Sequence, residues 1–159
     1  MLKQHPPLKT KLLTQGPTLY LFKHQIEKHC RNMKFQTPAP GIQFEIPDDW
    51  WLFAEMDRFV PGGGGFYPPN SATCEVISLN DIEPPHRNPG VALFKKYKMV
   101  PVLFAFASPE CALPPITLHP LVRPDRYRFK VHNGFHRFYA SIAVGYTSIP
   151  AMVSQPFDF

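Results

Sequence analysis

Residues 126–153 carry the sequence feature that most constrains the fold of this chain, RYRFKVHNGFHRFYASIAVGYTSIPAMV. The segment opens with an alternation of apolar side chains and basic or imidazole side chains, which is the period-two pattern of a half-buried strand. The alternating residues are Tyr127, Arg128, Phe129, Lys130, Val131 and His132. Asn133 and Gly134 follow, and because both residue types tolerate positive φ they predict a tight reversal of the chain.

The apolar period changes at Phe135 from that of a strand to that of a helix. The apolar stripe of this predicted helix consists of Phe135, Phe138, Tyr139, Ile142 and Ala143. Gly145 predicts the end of the helix, as the residue beyond its C-cap. Ile149–Val153 then predicts an edge strand. The segment therefore predicts a strand, a turn, a helix and a strand in immediate succession.

The turn before this helix predicts a site for an anion, most naturally a phosphate. A glycine turn that enters a helix leaves the first backbone N–H groups free beside the positive end of the helix dipole. His136 and Arg137 add an imidazole and a guanidinium at the same place, and a guanidinium can bind two phosphate oxygens in a fork. An ion pair that only stabilises the fold is the alternative for Arg137. We predict no metal site at His132 and His136, because the turn between them breaks the helix that such a pair would need.

The positive charge of the chain lies in its first 32 residues. These residues contain six Lys and Arg and one acidic residue, Glu27, so their net charge is +5. The net charge of the whole chain is also +5. Residues 33–159 therefore have a net charge of zero, which disfavours direct DNA binding through a broad basic face. We predict a basic, disordered extension over residues 1–32.

The remaining sequence predicts short elements joined by turns, since it contains 20 prolines and nine glycines. We predict strands at Ile42–Ile46, Glu75–Leu79 and Val100–Ala107, and helices at Asp49–Phe59 and Val91–Lys98. The segment Leu113–Leu118 is expected to lead into another strand. The expected fold class is α+β, a small mixed sheet with short helices. Residues 33–74 are expected to form an N-terminal strand, helix and glycine-rich loop, and residues 75–159 the core.

Several classes of protein are disfavoured by the sequence. Gly62–Gly65 lack the Lys-Ser/Thr of a P-loop, so we expect a mobile loop or lid there, with a plain connector as the alternative. Cys30, Cys74 and Cys111 are widely spaced and form no CxxC pair, which favours a reducing, cytoplasmic location over a disulfide framework or a zinc ribbon. No run of 18 apolar residues exists, so we expect no association with a membrane.

The order of the segments resembles the ParB/sulfiredoxin superfamily. The most specific match is the Asn-Gly-Phe-His-Arg turn between a strand and a helix, which is similar to the Asp-Gly-x-His-Arg of that superfamily. The resemblance covers about half the chain, over residues 75–153. Its matching pieces are Val76–Ile82, Pro85–Arg87, Pro114–Ile116, Val131–Arg137 with Ala140 and Gly145, and Ile149–Ala151.

Departures from the superfamily narrow what the resemblance implies. Sulfiredoxins have their catalytic cysteine after the glycine of this turn, where this chain has Phe135, so the resemblance is to a branch without peroxiredoxin repair. Chromosome-partition ParB proteins hold CTP phosphates with a Gly-Glu-Arg-Arg loop, in which Phe135 and His136 here replace Glu and the first Arg. The chain ends six residues after Val153, so we expect no helix-turn-helix of its own.

The resemblance also implies the site residues and their ligand. The superfamily includes ADP- or ATP-dependent kinases of free serine, which share a Gly-x-His-Arg loop without the cysteine. The residues implied to bind a nucleotide (ATP, ADP or CTP) or a phosphate are Arg87, Asn133, Gly134, Phe135, His136 and Arg137. Phosphoryl transfer also needs a carboxylate that orients the hydroxyl or holds Mg²⁺. Asp81 and Glu83 are the candidate catalytic residues, although Asp81 equally suits a turn cap and Glu83 a solvated loop.

Two functions are compatible with this sequence. The first is a domain that binds a nucleotide or a phosphorylated small molecule, with small-molecule phosphotransfer as its activity. The second is a non-catalytic ParB-like accessory protein that senses a nucleotide or associates with DNA. A pure interaction module, in which the loop binds nothing, is the remaining alternative.

Overall fold

The computed structural model describes residues 32–61, 74–108 and 113–155. Most of the predicted basic extension, the glycines at 62–65 and Cys111 lie outside the described residues, so those predictions stay predictions. The strands are β1 (Asn32–Gln36), β2 (Gln43–Pro47), β3 (Glu75–Ser78), β4 (Ile82–Glu83), β5 (Ile116–Pro120), β6 (Phe129–Asn133) and β7 (Ser148–Val153). The α-helices are α1 (Asp48–Phe53), α2 (Lys96–Ala107) and α3 (Phe135–Ala143), with short 3₁₀ helices at Met56–Arg58 and Leu79–Asp81.

The strands form an antiparallel hairpin and a five-stranded mixed sheet. In the hairpin, β1 pairs with β2 in a register that places Asn32 opposite Pro47. The order of the larger sheet is β3-β7-β5-β6-β4. Its β3–β7 and β5–β6 pairs are antiparallel, whereas its β7–β5 and β6–β4 pairs are parallel. The predicted α+β class with a mixed sheet and short helices is therefore confirmed.

The prediction that Ile149–Val153 is an edge strand is wrong, because β7 lies between β3 and β5. A proline within the predicted strand suggested an edge, since proline cannot donate to a second ladder. In the structure, Pro150 lies opposite Val76 of β3, and the pairing of β7 with β5 starts only at Ala151. The missing N–H of the proline is thus placed before the second ladder begins.

The prediction of a strand at Val100–Ala107 is also wrong, because these residues belong to α2. A short run of continuous apolar residues does not distinguish a buried strand from a buried helix. The buried side chains Met99, Leu103 and Phe106 are spaced as one face of a helix. The interior proline of α2, Pro101, lies on the exposed side. The helix predicted over 91–98 starts only at Lys96, and it continues through the residues assigned to the strand.

The strand, the turn and the helix predicted within residues 126–145 are confirmed. The strand is shorter than predicted, since β6 starts only at Phe129. The helix α3 ends at Ala143 with Val144 as its C-cap, and Gly145 follows at a φ of 96°. Its apolar stripe packs into the core, with Phe138 and Tyr139 buried. The ring of Phe44 from β2 lies 4.9 Å from that of Tyr139, so the N-terminal hairpin packs directly on α3. The first predicted helix is shorter than expected, since α1 ends at Phe53.

Candidate functional site

A cleft of about 540 Å³ opens where β6 turns into α3. Three separate segments surround it: the loop after β4, one side of α2, and the end of β6 with the first turn of α3. The described residues that line it are Pro85, His86, Arg87, Lys98, Val102, Val131, His132, Asn133, Gly134, Phe135, His136 and Arg137. All six residues predicted to bind a nucleotide or phosphate are therefore brought together around one cavity.

The charge of the cleft has one sign. Arg87, Lys98 and Arg137 contribute a cation each from the loop, α2 and α3. No Asp or Glu is present among the described residues that line it. Because the cations converge from three elements of the fold, the cleft has a positive potential although residues 33–159 are neutral as a whole.

Gly134 is required by packing as well as by the turn. Its φ is 115°, in the region that side chains with a Cβ rarely adopt. A Cβ added at this position would lie 2.4 Å from Cγ2 and 2.7 Å from Cβ of Ile116 on β5. The sequence predicted a tight turn at this glycine, and the structure adds a close approach to Ile116 on β5.

The first turn of α3 presents free backbone donors to the cleft. The first hydrogen bond of the helix runs from the Phe138 N–H to the Gly134 carbonyl at 2.9 Å. The N–H groups of Phe135, His136 and Arg137 precede this bond and have no acceptor within the helix. Gly134 has no side chain that could cap them. These donors are therefore oriented as in the anion sites found at helix N-termini.

Phe135 acts as a platform for Arg87. The guanidinium carbon of Arg87 lies 3.9 Å from the centroid of the Phe135 ring, within the range of a cation–π contact. The ring is fixed from behind by Phe94 and Tyr139, at centroid distances of 6.2 and 5.1 Å. Phe135 thus holds the guanidinium of Arg87 at the lining of the cleft.

His136 is a neutral structural acceptor in this arrangement. Its Nε2 accepts a hydrogen bond from the Lys95 N–H at 3.2 Å, which ties α3 to the residue before α2. Burial, with Arg87, Lys98 and Lys95 nearby, lowers the pKa of His136 to about 4. The imidazole is therefore uncharged at neutral pH, and its proton lies on Nδ1 because Nε2 accepts. The imidazole can therefore donate a hydrogen bond from Nδ1, but it does not titrate near neutral pH.

Arg137 divides its donors between the fold and the cleft. Its Nη1 donates to the Pro114 and Pro115 carbonyls, the latter at 2.7 Å, and so holds the segment that leads into β5. Burial lowers the pKa of Arg137, but a guanidinium remains charged at any physiological pH. Its Nε and Nη2 have no acceptor among the described residues. Arg137 can therefore stabilise the fold and bind a phosphate at the same time, which are the two roles that the sequence left open for it.

The loop before the cleft is fixed to the same helix. The Tyr139 hydroxyl donates to the Pro85 carbonyl at 2.7 Å. Burial raises the pKa of Tyr139 to about 12, so the phenol remains a donor. Through Tyr139 and Phe135, α3 sets the position of the loop that carries His86 and Arg87.

The structure places the two candidate catalytic carboxylates away from the walls of the cleft. Asp81 lies at the end of a 3₁₀ helix, and its Oδ2 pairs with Nη1 of Arg128 at 3.5 Å. Glu83 lines a smaller cavity of about 240 Å³ together with Lys130. That cavity adjoins the cleft, since both are lined by Pro85, His86 and Val131.

Sequence reasoning missed several lining residues. Lys98 was not predicted to line the cleft. The sequence placed it at the end of a short helix, whereas in the structure it lies in the first turn of the longer helix α2. His132 is the extra residue of a β-bulge in β6, and its ring stacks on that of His119 at 4.2 Å. No pattern in the sequence predicted this bulge. The sequence did contain a signal for His86 and for the positive charge of the cleft. This signal is the Pro-His-Arg tripeptide at residues 85–87, which precedes a lysine-rich helix.

The described residues contain no group of three His, Cys, Asp or Glu side chains that could hold a metal ion. No helix in the described part of the chain is long and apolar enough to cross a bilayer.

Comparison with known proteins gives a weak structural likeness. No protein-family model and no curated protein matches the sequence. Among solved structures, the chain is similar to the C-terminally truncated chromosome-partitioning protein ParB from Caulobacter crescentus in complex with CTP-γ-S, with 20% identity and a TM-score of 0.40. The match covers 54% of this chain and 46% of that one, so the chain spans slightly less than half the length of the ParB structure. A likeness of this size gives no information about the ligand of the cleft.

Proposed function

We propose that the cleft between the loop after β4, α2 and α3 binds the phosphate groups of a nucleotide or of a phosphorylated small molecule. The observation that carries this proposal is the convergence of Arg87, Lys98 and Arg137 on the free N–H groups of α3, with no acid among the described lining residues. A cleft of this kind is unfavourable when empty of anions, because its like charges repel one another. A bound phosphate relieves that repulsion.

Each group has a distinct part in binding. The backbone N–H groups of α3 donate to oxygens of one phosphate, and the two free nitrogens of Arg137 reach the same anion from the side. Arg87, held over Phe135, and Lys98, on α2, neutralise further negative charge of the ligand. A hydrogen bond to a charged group contributes about 1.5–3 kcal/mol. Micromolar binding corresponds to about 8.2 kcal/mol, so it needs at least three such bonds at the upper end of this range.

The size of the cleft favours a ligand larger than inorganic phosphate. Small-molecule sites generally occupy about 300–1,000 Å³, and the cleft measures about 540 Å³. The resemblance of the Asn133–Arg137 turn to nucleotide-dependent proteins supports ATP, ADP or CTP as the first ligands to test. The turn binds the phosphates in this proposal, and the rest of the cavity holds the nucleoside.

A thermal-shift panel of ADP, ATP, CTP and inorganic phosphate tests the proposal. We expect at least one nucleotide to raise the melting temperature in a saturable manner, because a ligand that binds only the folded state stabilises it. Arg87→Gln should abolish most of this shift. Arg126→Gln is the matched control, since Arg126 is an exposed arginine that also stacks on an aromatic ring, that of Tyr127, but lies outside the cleft. The proposal fails if no phosphate compound stabilises the protein, or if both variants behave alike.

Phosphotransfer is a second candidate, favoured by the position of Glu83. Glu83 lines a smaller cavity that adjoins the cleft, where an acceptor hydroxyl would lie beside the bound phosphates. Release of ADP from ATP in the presence of pooled hydroxyl-bearing metabolites would reveal the activity. Glu83→Gln should then abolish turnover and leave nucleotide binding intact. If ATP binds and no pool releases ADP, the protein is a binding domain without transferase activity.

A further inference from the structure

The atoms that line the cleft are suited to anions and poorly suited to Mg²⁺. Its charged and imidazole side chains are Arg87, Lys98, Arg137, His86, His132 and His136, all of which present nitrogen. Asn133 is the only described lining residue with a side-chain oxygen. Mg²⁺ is usually held by one or two carboxylates together with phosphate oxygens and water, and it discriminates against nitrogen.

Three carboxylates that the structure describes outside the lining of the cleft have other partners or line another cavity. Asp81 is paired with Arg128 at 3.5 Å. Glu83 shares its cavity with Lys130. Asp49, close to the start of α2, is paired with Lys96 at 3.1 Å. The residues therefore do not fit the Mg²⁺ that resemblance to phosphotransferases implies.

We propose that the cleft binds its di- or triphosphate ligand as the free polyanion, without Mg²⁺. The inference rests on the proposed function, that is, on phosphate binding in this cleft. The charge that a metal ion supplies in most nucleotide sites is supplied here by Arg87, Lys98 and Arg137, each carried by a different element. The ligand class is a nucleoside di- or triphosphate, or another compound with adjacent phosphates, in its metal-free form.

Mg²⁺ then acts as a competitor rather than a cofactor. A Mg²⁺ ion that bridges two phosphates removes two units of negative charge from the ligand and occupies oxygens that the protein would contact. It also brings a divalent cation beside three fixed protein cations. At contact distance in water, one charge pair corresponds to about a fivefold change in affinity, so chelation of the ligand should weaken binding by at least that factor.

Calorimetric titration of the full chain with ATP, in excess EDTA and in excess Mg²⁺ at equal ionic strength, tests the inference. We expect binding in EDTA and an affinity about fivefold or more lower in Mg²⁺. Inorganic phosphate, which holds Mg²⁺ weakly, is the ligand control and should show little difference between the two buffers. An affinity for ATP in Mg²⁺ equal to or higher than in EDTA would overturn the inference and leave the proposed function standing. An absence of binding in both buffers would overturn the proposed function itself.

Two further variants locate the effect in the cleft. Lys98→Gln should lower the affinity for metal-free ATP. Lys34→Gln, at another exposed lysine that lies on β1 and outside the cleft, should leave it unchanged. Asn133→Asp introduces a carboxylate into the wall of the cleft without a change of shape. We expect this variant to bind metal-free ATP more weakly and to lose part of its inhibition by Mg²⁺. A full fivefold inhibition retained in Asn133→Asp would contradict the assignment of the competition to this cavity.

Discussion

Replacement of Gly134 by alanine tests whether this glycine serves the packing of the fold. Two separable costs follow from the geometry. A residue with a Cβ pays about 1–2 kcal/mol for left-handed backbone, and the φ of Gly134 is 115°. The new Cβ would also lie 2.4 Å from Cγ2 of Ile116, which must move. Such overpacking costs about 1–3 kcal/mol more, so we expect Gly134→Ala to lower the free energy of unfolding by about 2–5 kcal/mol.

Gly90 supplies the matched control for this measurement. Its φ is 83°, but an added Cβ would meet no atom within 4 Å, so Gly90→Ala pays for backbone strain alone. Equilibrium urea denaturation, followed by the fluorescence of Trp50 and Trp51, gives both free energies of unfolding on the same scale. We expect Gly134→Ala to be the more destabilising variant by at least about 1 kcal/mol. Equal losses in the two variants would refute the argument that Gly134 is required by its approach to β5.

Three further predictions concern α3. Phe135→Leu should weaken ligand binding about two- to thirtyfold by calorimetry, because loss of the cation–π contact frees Arg87 at a cost of about 0.5–2 kcal/mol; an unchanged affinity would contradict the platform role. In the folded protein the pKa of His136 is about 4, below its ordinary value of 6.5. As the pH drops, the unfolded chain therefore binds the proton before the folded protein does. The free energy of unfolding should fall between pH 6.5 and pH 4 for this reason. His136→Gln, which keeps an acceptor but no titration, should flatten that slope in urea denaturation at a series of pH values, and an unaltered slope would assign it to other groups. Arg137→Met should lower the free energy of unfolding by about 1–3 kcal/mol, since two backbone carbonyls lose a charged donor; normal stability with binding lost would make this arginine a ligand-binding residue alone.

The sequence predicted the elements whose periodicity is unambiguous. The change of apolar period at Phe135, with Asn-Gly before it and Gly145 after it, correctly placed the turn and α3. An apolar run without alternating polarity, such as that of α2, has no periodicity that distinguishes a helix from a strand. The position of β7 inside the sheet also did not follow from its sequence, because Pro150 is tolerated there only since β5 begins to pair at the next residue. Local pattern thus determined local structure, and pairing between distant segments did not follow from it.

The candidate site shows the same division. Residues 133–137 and Arg87 line one cavity as their motifs suggested, because the motifs lie at a turn and on the loop that packs against it. Lys98 was not predicted, since its approach to the cleft follows from the docking of α2 on α3. Asp81 and Glu83 were selected for their chemistry alone, and chemistry does not specify which cavity a side chain faces.

The first turn of α3 joins three otherwise separate segments through consecutive side chains. His136 holds the residue before α2, Arg137 holds the residues before β5, and Phe135 with Tyr139 holds the loop that carries Arg87. Local opening of any one segment therefore removes a wall of the cleft, and a bound ligand opposes all of these openings equally. In hydrogen-exchange terms, a saturating ligand should slow the amide protons of α2, of α3 and of the residues around Pro115 by one common factor, equal to the ratio of its concentration to its dissociation constant.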